Sequence, residues 1–430
     1  MINPYVWVCF GLFVVLLLME VPIPFGMIAA SILYSVLNGQ SLTLLPIKIA
    51  TSYSDWSMLA VPAFLFVGTF MNEIGLTDRI FGMAEAWLGR IPGGLAHANV
   101  LASMLFAGMS GSALADAGGL GVIEVHAMKE AGYDENFSVA VTAASSTIGP
   151  IIPPSINLVI WGWLSGTSTV TLFEAGMVPG IVMGVLMMAC VVVMVKVFKI
   201  KAPRGRDYTF SQKMKATWRA LPALGGPAIL ILGIMTGAFT PTECGVVAAV
   251  YCVLLAACYR RLSFRLVRQA LRATLSSAAM VMGLCATGLV FNWMIVSSGL
   301  IAFISNALLM LGSKVLILLT LNLLLLFMGC FIGSMQVLLM VGPLLISVAD
   351  ALGMTYAQIG VMAVFNLVIG LITPPMAPSL FVTAKATNTS FQGALRYTCI
   401  FIIPLVLTLL LITFCPGFSL WLPRLLGAVV

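Results

Sequence analysis

Long apolar runs recur along the whole chain and are interrupted only by short polar segments. A run of roughly 20 apolar residues is long enough to cross the hydrocarbon core of a bilayer as a helix. The pattern therefore predicts an all-α polytopic membrane protein with roughly ten to twelve crossings plus two hairpins, counted by that length rule. The clearest predicted spans are 176–197, 221–237, 244–259, 274–297, 300–328 and 397–422.

One short stretch, Ala144–Ser155, breaks this pattern in the middle of an apolar region. It contains Gly149-Pro150 and Pro153-Pro154, and proline removes a backbone donor and clashes with the preceding helical turn. The sequence therefore predicts a helix over about 137–165 that is broken at mid-membrane. Such backbone is tolerated only where protein buries it or where it lines a wet cavity. Unwound carbonyls suit a small cation, and half-helix N-termini suit a carboxylate.

The same stretch occurs a second time, 221 residues later, which predicts a second broken helix over about 357–384. Nine identities fall at this one offset, and six of them are glycine or proline, which hydrophobic composition alone does not explain. The pairs are Phe106/Phe327, Gly108/Gly329, Gly121/Gly342, Gly132/Gly353, Ile148/Ile369, Gly149/Gly370, Ile151/Ile372, Pro153/Pro374 and Pro154/Pro375. Interrupted segments at matching positions of two halves point to the binding site of a transporter.

A small, flexible and polar segment, residues 108–121, precedes the first broken helix. A helix that enters the membrane, turns there and returns through small residues makes a re-entrant hairpin, which we predict over about 95–130. The segment 329–336 keeps the glycines and a serine at the equivalent place. It predicts a second hairpin over about 316–350.

Three polar residues of the first hairpin are candidates for chemistry: Ser110, Ser112 and Asp116. Small residues in membrane helices serve close packing, so packing and ligation both remain open for the two serines. A carboxylate inside a membrane segment is costly and by default marks an ion pathway or the support of a site. Val337 matches Asp116 at the repeat offset, so the two copies are not chemically equal.

The composition excludes a soluble chain, since 61% of the residues are hydrophobic, 8% are charged and the mean hydropathy is +1.11. The net charge of +7 arises mostly from two basic clusters. The positive-inside rule predicts that both clusters lie in the cytoplasm. We interpret them as determinants of membrane topology and not as a nucleic-acid-binding surface. The nine cysteines lack C-x-x-C spacing and read as small apolar residues. The clusters are Lys196, Lys199, Lys201, Arg204, Arg206, Lys213, Lys215 and Arg219, and then Arg260, Arg261, Arg265, Arg268 and Arg272.

These features divide the chain into two halves joined by a basic segment. We predict a first repeat over 1–198, a cytoplasmic linker over 199–219 and a second repeat over 220–430. Residues 72–94 alternate charged and apolar positions, which is typical of an amphipathic helix along a membrane surface or of an ordinary connecting helix. The N-terminus lacks a basic n-region, so the first apolar segment is expected to be retained.

Three motifs together resemble one family. The segments Gly108–Asp116 and Ile148–Ser155, with Ile369–Pro375 as the second copy, look like the large membrane subunit of the tripartite ATP-independent periplasmic (TRAP) transporters, the DctM-like family. The likeness covers essentially the whole chain. It implies an elevator-type ion transporter with two inverted repeats, each carrying a re-entrant helical hairpin and a proline-broken helix.

The resemblance also implies which partner proteins the chain works with and which ion gradient supplies the energy. Such subunits act in the bacterial inner membrane with a small DctQ-like membrane subunit, here expected as a separate chain. A periplasmic binding protein delivers an organic acid such as a C4-dicarboxylate or a sugar acid. A sodium gradient drives uptake, so Na+ is the coupling ion, and neither another cofactor nor a transition-metal site is expected.

Site residues follow from the same resemblance. Sodium is a hard cation and prefers carbonyl and hydroxyl oxygens. Sodium and substrate are expected to bind at residues of the hairpin tips and of the two breaks. For the first copy these are Ser110, Gly111, Ser112, Asp116, Ser145, Ser146, Gly149 and Pro150, and for the second copy they are Gly329, Gly333, Ser334, Asn366, Gly370, Thr373 and Pro374. The role of Asp116 stays open.

Two other functions remain alternatives to binding-protein-dependent uptake. The first is an elevator carrier of anions or dicarboxylates that needs no binding protein. The second is an intramembrane enzyme, which the sequence disfavours. His97 and His126 are the only histidines, and neither lies near a Gly-x-Ser-x-Gly or His-Glu-x-x-His motif.

Overall fold

The computed structural model describes residues 2–428, apart from the side chains of residues 108–110. Within that part all regular secondary structure is helical, as the sequence predicts. The first half contains α1 (Tyr5–Leu18), α2 (Ile23–Leu37), α3 (Leu44–Ser52), a 3₁₀ turn (Trp56–Leu59), α4 (Ala60–Glu73), α5 (Thr77–Leu88), α6 (Gly94–Ser110), α7 (Ala113–Gly118), α8 (Leu120–Glu130), α9 (Glu135–Ser145), a 3₁₀ turn (Ser146–Ile148), α10 (Ile156–Ser165) and α11 (Thr169–Lys196).

The second half repeats much of this order. It contains α12 (Phe210–Met235), α13 (Pro241–Cys258), α14 (Phe264–Ser297), α15 (Leu300–Leu309), α16 (Lys314–Phe331), α17 (Ser334–Leu352), α18 (Tyr356–Gly370), α19 (Pro378–Ala386), α20 (Phe391–Phe414) and α21 (Pro416–Leu425). Helices α9 and α18 begin 221 residues apart, at Glu135 and Tyr356, and α11 and α20 begin 222 apart, at Thr169 and Phe391. The offset seen in the sequence is therefore also an offset of helices.

The two halves differ most in one element. In the first half, α3 and the segment Trp56–Glu73 form a pair bent by 59°. At the repeat offset the second half has the single 34-residue helix α14. Asp55 explains the interruption, because its side chain accepts a hydrogen bond from Ser57 N and so begins a new helical segment.

Fewer helices can cross a membrane than the sequence suggested. Within residues 2–428, seven helices are long and apolar enough, or eight if the bent pair counts as one span, against the predicted ten to twelve. Several apolar runs form shorter helices of 10–17 residues, including α1, α2, α10 and α18. An apolar run alone does not reveal that a turn or proline divides it, which is why the hydropathy count is too high.

The basic segments are more helical than expected. Helix α12 begins at Phe210, where Thr209 and Gln212 form a capping box, so the second part of the predicted linker is helix. Helix α14 begins at Phe264 rather than at 274, because Ser263 caps it by accepting from Leu266 N. The arginines from 265 to 272 therefore lie on the same helix as the predicted span.

Helix α5 gathers both basic clusters at one end of the molecule. Trp87 on α5 donates to Thr217 Oγ1 of α12 at 2.9 Å, and Arg261 Nη1 donates to Ile74 O at 2.6 Å, just before α5. Burial and the nearby Glu85 carboxylate raise the pKa of Tyr208 in the linker. We call this end the basic face.

The two halves exchange their second broken-helix segments. Helix α10 of the first half packs against α17 and α18, and α19 of the second half packs against α7 and α9. The indole of Trp161 on α10 donates to Tyr356 O at 2.8 Å, and it is fully buried. Lys129 Nζ donates to Thr387 O at 3.1 Å beyond the other exchanged helix. The core of the molecule is therefore built from both halves together.

Candidate functional site

The first break lies in the interior of the protein. Helix α9 ends at Ser145, one 3₁₀ turn follows, and α10 begins only at Ile156. Every residue from 137 to 162 is buried. The Pro153-Pro154 peptide bond is cis, and Ser155 caps α10 by accepting from Leu158 N at 3.3 Å. Non-helical backbone is thus enclosed by protein at the place where the prolines predicted it.

A buried polar network holds the helical end of this break. Ser145 Oγ lies 2.7 Å from Asn99 Oδ1 and 3.0 Å from Ser103 Oγ, both on α6. Asn99 also donates to Thr142 Oγ1 at 2.7 Å. Ser146 Oγ donates to Ala143 O at 2.8 Å. The hydroxyl of Ser145 is therefore shared between α9 and the first hairpin.

The tip of the first hairpin touches the break. Gly111 has φ +57°, and a Cβ built on it would lie 3.2 Å from Pro154 O and 3.1 Å from Ile156 Cγ1. Only glycine combines that backbone conformation with so close an approach. Ser112 is the N-cap residue of α7 and is half-buried. The Ser110 side chain lies outside the described residues.

Asp116 faces the break from α7. It is 3% exposed, and a Cβ built on Gly149 would collide with its Oδ2 atom. The carboxylate therefore packs directly against the backbone of Gly149, beside Pro150. This contact gives Asp116 a place at the first break, and it explains why position 149 has no side chain.

The second break is more open than the first. Helix α18 ends at Gly370 and α19 begins at Pro378. The residues from 357 to 372 are buried, whereas Thr373 and Pro374 are half-buried and the next two residues are exposed. The Pro374-Pro375 peptide bond is also cis. Thr373 Oγ1 donates to Ile369 O at 2.8 Å.

Asn366 occupies the same repeat position as Ser145 and also bonds to the hairpin beside it. Its Nδ2 donates to Asn322 O at 2.9 Å and to Asn322 Oδ1 at 2.7 Å. Its own Oδ1 atom is buried and has no hydrogen-bond partner among the described residues. A buried acceptor of this kind calls for an ion or water as partner.

The second hairpin contacts both breaks. Gly329 on α16 and Gly370 on α18 touch backbone to backbone, since a Cβ built on Gly370 would lie 2.5 Å from Gly329 C. Beyond Gly333, Ser334 is the first residue of α17, and its Oγ accepts a hydrogen bond from Asn157 Nδ2 at 3.1 Å. Asn157 belongs to α10, so the tip of the second hairpin reaches the first break.

Two residues of this site were missed by the sequence reasoning: Asn157 and Ser379. Each is the second residue of an exchanged helix, α10 or α19. Both are buried, and within residues 2–428 neither Asn157 Oδ1 nor Ser379 Oγ has a hydrogen-bond partner. The recurrence of a polar residue just after each proline motif could have singled them out.

The site as a whole is rich in oxygen atoms. Each break brings hydroxyl, amide and backbone oxygens next to a hairpin, and the Asp116 carboxylate lies beside the first break. Such a set suits a hard, weakly polarising cation far better than a soft metal. The N-termini of α10 and α19 add partial positive charge that suits an anion.

Comparisons with known proteins identify the family of the chain. Residues 10–418 match the model of the family described as "Tripartite ATP-independent periplasmic transporter, DctM component". The chain belongs to this family. It is 37% identical to the sialic acid TRAP transporter large permease protein SiaM of Vibrio cholerae, with 95% of this chain and 96% of that protein covered. It is 34% identical to the C4-dicarboxylate large permease DctM of Pseudomonas aeruginosa, with 89% and 90% covered.

A solved structure supports the fold. The YdaH transporter of Alcanivorax borkumensis superimposes with a TM-score of 0.61 at 16% identity, and covers 89% of this chain and 90% of that one. The chain is thus a multi-span permease subunit of the TRAP family, which is not an enzyme family. The alternative of an intramembrane enzyme is therefore excluded. Among the relatives the named substrates vary, from sialic acid to C4-dicarboxylates and isethionate.

Proposed function

We propose that this chain is the translocating subunit of a sodium-coupled system for the uptake of an organic acid across the bacterial inner membrane. A soluble periplasmic binding protein delivers the acid, and a small membrane subunit accompanies the permease. The observation that carries the proposal is the pair of oxygen-rich breaks, the first buried and the second partly open, each in contact with a hairpin. The substrates named for relatives are all organic acids, which is consistent with that chemistry.

The first sodium site uses the first hairpin tip and the first break. Its oxygens come from residues 110–112 and from Ser145, Ser146 and the backbone at Gly149. The contact between Gly111 and the first break supports this grouping. Asp116 supplies negative charge beside it, which the second copy lacks because Val337 stands there.

The second sodium site uses Gly329 and Ser334 of the second hairpin with Asn366, Gly370 and Thr373 of the second break, and Gly333 lies at the tip. The unpartnered Oδ1 atom of Asn366 supports it, because a buried amide oxygen without a donor is a ready cation ligand. The backbone contact between Gly329 and Gly370 brings the two elements together.

The two repeats have inverted orientations in the membrane. The support comes from the surface helices α5 and α15, which occupy equivalent places in the two repeats. Arg261 of the basic face bonds to Ile74 before α5. The residue before α15, Gly299, follows Ser298 at the far end of α14, where Ser298 O accepts from Asn3 N at 2.9 Å. Equivalent helices thus lie at opposite ends of the molecule.

The delivered acid enters from the end opposite the basic face, which the positive-inside rule makes periplasmic. At that end a cavity of about 650 Å³ is lined by residues of three segments, including Trp56, Trp163 and Thr240. The hydrogen bond from Thr242 Oγ1 to Trp56 O, 3.1 Å long, joins two of its walls. The acid then reaches the N-termini of α10 and α19, which favour a carboxylate.

The test is transport by the complete system in proteoliposomes. The permease, the small subunit and a ligand-loaded binding protein are combined, and uptake is measured with an inward sodium gradient or with choline in its place. Uptake that depends on sodium is expected. Equal uptake in choline refutes the coupling, and full uptake by this chain alone favours the binding-protein-independent carrier.

Movement of the site past a fixed scaffold is part of the proposal. A cysteine at Leu114, an exposed position on α7 next to the hairpin tip, paired with a cysteine on a scaffold helix such as α13, is expected to cross-link in one state and not in the other. The comparison is made in sodium and in choline. Identical cross-linking in both conditions counts against the elevator motion.

A further inference from the structure

The N-terminal part of α14 carries a basic surface that the transport site does not use. Arg265, Arg268 and Arg272 are exposed, and no hydrogen bond or ion pair holds them within residues 2–428. Their spacing of three and four residues puts them on one side of the helix. We call these three residues the arginine row.

The same turns of α14 have two further sides. One side packs on the protein through Ala270, Thr274 and Ala278, which are at most 7% exposed. Another side shows Phe264 and Leu275 to the surroundings, with exposed fractions of 85% and 66%. At 100° per residue the exposed apolar side lies directly beside the arginine row. A charged strip and an apolar strip therefore run next to each other along the helix.

The length of α14 places this surface at the membrane boundary. Its 34 residues give a helix of about 51 Å at 1.5 Å per residue. The hydrocarbon core measures only about 30 Å, and about 40–45 Å with headgroups. Residues 273–298 contain no charged side chain, so the arginine-bearing N-terminal turns are the part of α14 that extends beyond the hydrocarbon core. The first turns of α14 consequently pass through the headgroup layer of the leaflet at the basic face.

We propose that the arginine row binds the headgroup phosphates of anionic phospholipids in the cytoplasmic leaflet. The guanidinium groups contact phosphate, to which arginine fork geometry is matched, and an acyl chain lies along the neighbouring apolar strip. Charge complementarity and the adjacent apolar strip favour a lipid over an acidic protein surface, because a lipid satisfies both strips at once.

The experiment measures lipid binding to the purified full chain by native mass spectrometry, with phosphatidylglycerol or phosphatidylcholine as the added probe. Each basic residue near an anionic surface contributes enough that three of them give about a hundredfold preference. Wild type is therefore expected to bind phosphatidylglycerol about a hundredfold more tightly than phosphatidylcholine. Equal affinity for the two lipids overturns the proposal without any variant.

The variants assign the preference to this surface. The triple change Arg265→Gln, Arg268→Gln and Arg272→Gln is expected to remove most of the preference. A matched triple change at the same positions, Arg265→Lys, Arg268→Lys and Arg272→Lys, keeps the charge and is expected to retain most of the preference. Loss of the preference in the lysine variant, or its retention in the glutamine variant, refutes the assignment.

Two further outcomes are informative. If the triple glutamine variant fails to insert, the single change Arg268→Gln is measured instead, with an expected weakening of phosphatidylglycerol binding of about fivefold. No weakening there also overturns the proposal. If the arginine-row variant binds lipid normally but loses the small membrane subunit during purification, the surface contacts protein and the lipid proposal is wrong.

Discussion

The contact between Gly370 and Gly329 makes a sharp prediction about the second break. In Gly370→Ala, the new Cβ would lie 2.5 Å from Gly329 C and 2.7 Å from Gly329 O, both backbone atoms. An ordinary contact begins near 3.4 Å. The atoms that the new Cβ meets belong to the backbone and cannot rotate away, so α16 and α18 must separate by about 0.9 Å. Overpacking of this kind costs about 1–3 kcal/mol.

The matched control is Gly283→Ala on α14. A Cβ there meets nothing within 4 Å, and alanine is the better helix former. The control is expected to be neutral or more stable by up to about 1 kcal/mol. The free energy of unfolding of both variants is measured by titration with sodium dodecyl sulfate in mixed micelles, followed by circular dichroism. Equal free energies for the two variants would refute the proposed backbone contact.

The same change tests the second sodium site. Ligand distances in a cation site are set to within about 0.2 Å, so a separation of about 0.9 Å between Gly329 and Gly370 removes the site. Sodium-dependent uptake by Gly370→Ala is expected to be lost, even at a temperature where the variant is fully folded. Wild-type sodium dependence in a folded Gly370→Ala protein would show that sodium binds elsewhere.

Three further predictions concern single side chains. Asn366→Ala removes the unpartnered amide oxygen and is expected to raise the half-saturating sodium concentration for uptake at least about tenfold; an unchanged value removes Asn366 from the site. In Gly149→Ala the new Cβ meets the end of the Asp116 side chain, which can rotate. The variant should therefore lose less unfolding free energy than Gly370→Ala and still show lower uptake. A loss of stability as large as that of Gly370→Ala would contradict this. Tyr133→Phe deletes the 2.7 Å hydrogen bond to Pro203 O and the 3.1 Å hydrogen bond that the hydroxyl accepts from Leu95 N, and should cost about 2 kcal/mol of unfolding free energy; a neutral result would show that neither hydrogen bond forms.

The proline motifs made the breaks predictable, because Gly149-Pro150 and Pro374-Pro375 act locally on the backbone. The repeat offset made the second break as visible as the first. By contrast, the hydrogen bond between Asn157 and Ser334 joins residues 177 positions apart. It depends on the exchange of α10 and α19 between the halves, which no local pattern encodes.

Helix boundaries were less predictable than helix type. The start of α12 could have been read from Thr209 and Gln212, whose spacing is that of a capping box. The apolar pattern predicts a span only from residue 274, whereas α14 begins at Phe264, because arginine is a good helix former and extends the helix beyond the apolar run. The charge pattern thus predicted a side of the membrane for this segment but did not reveal that the segment is a helix.

The exchange of α10 and α19 also has a consequence for how the chain is made. Helix α10 is synthesised by Ser165, but its partners α17 and α18 are complete only at Gly370. At about 5–20 residues per second, translation of that interval takes roughly 10–40 s. For this time the nascent first half holds a proline-rich break and polar groups without their final covering. The second half therefore completes the folding of the first. Helix α10 has to be kept from other contacts until α17 and α18 have been synthesised.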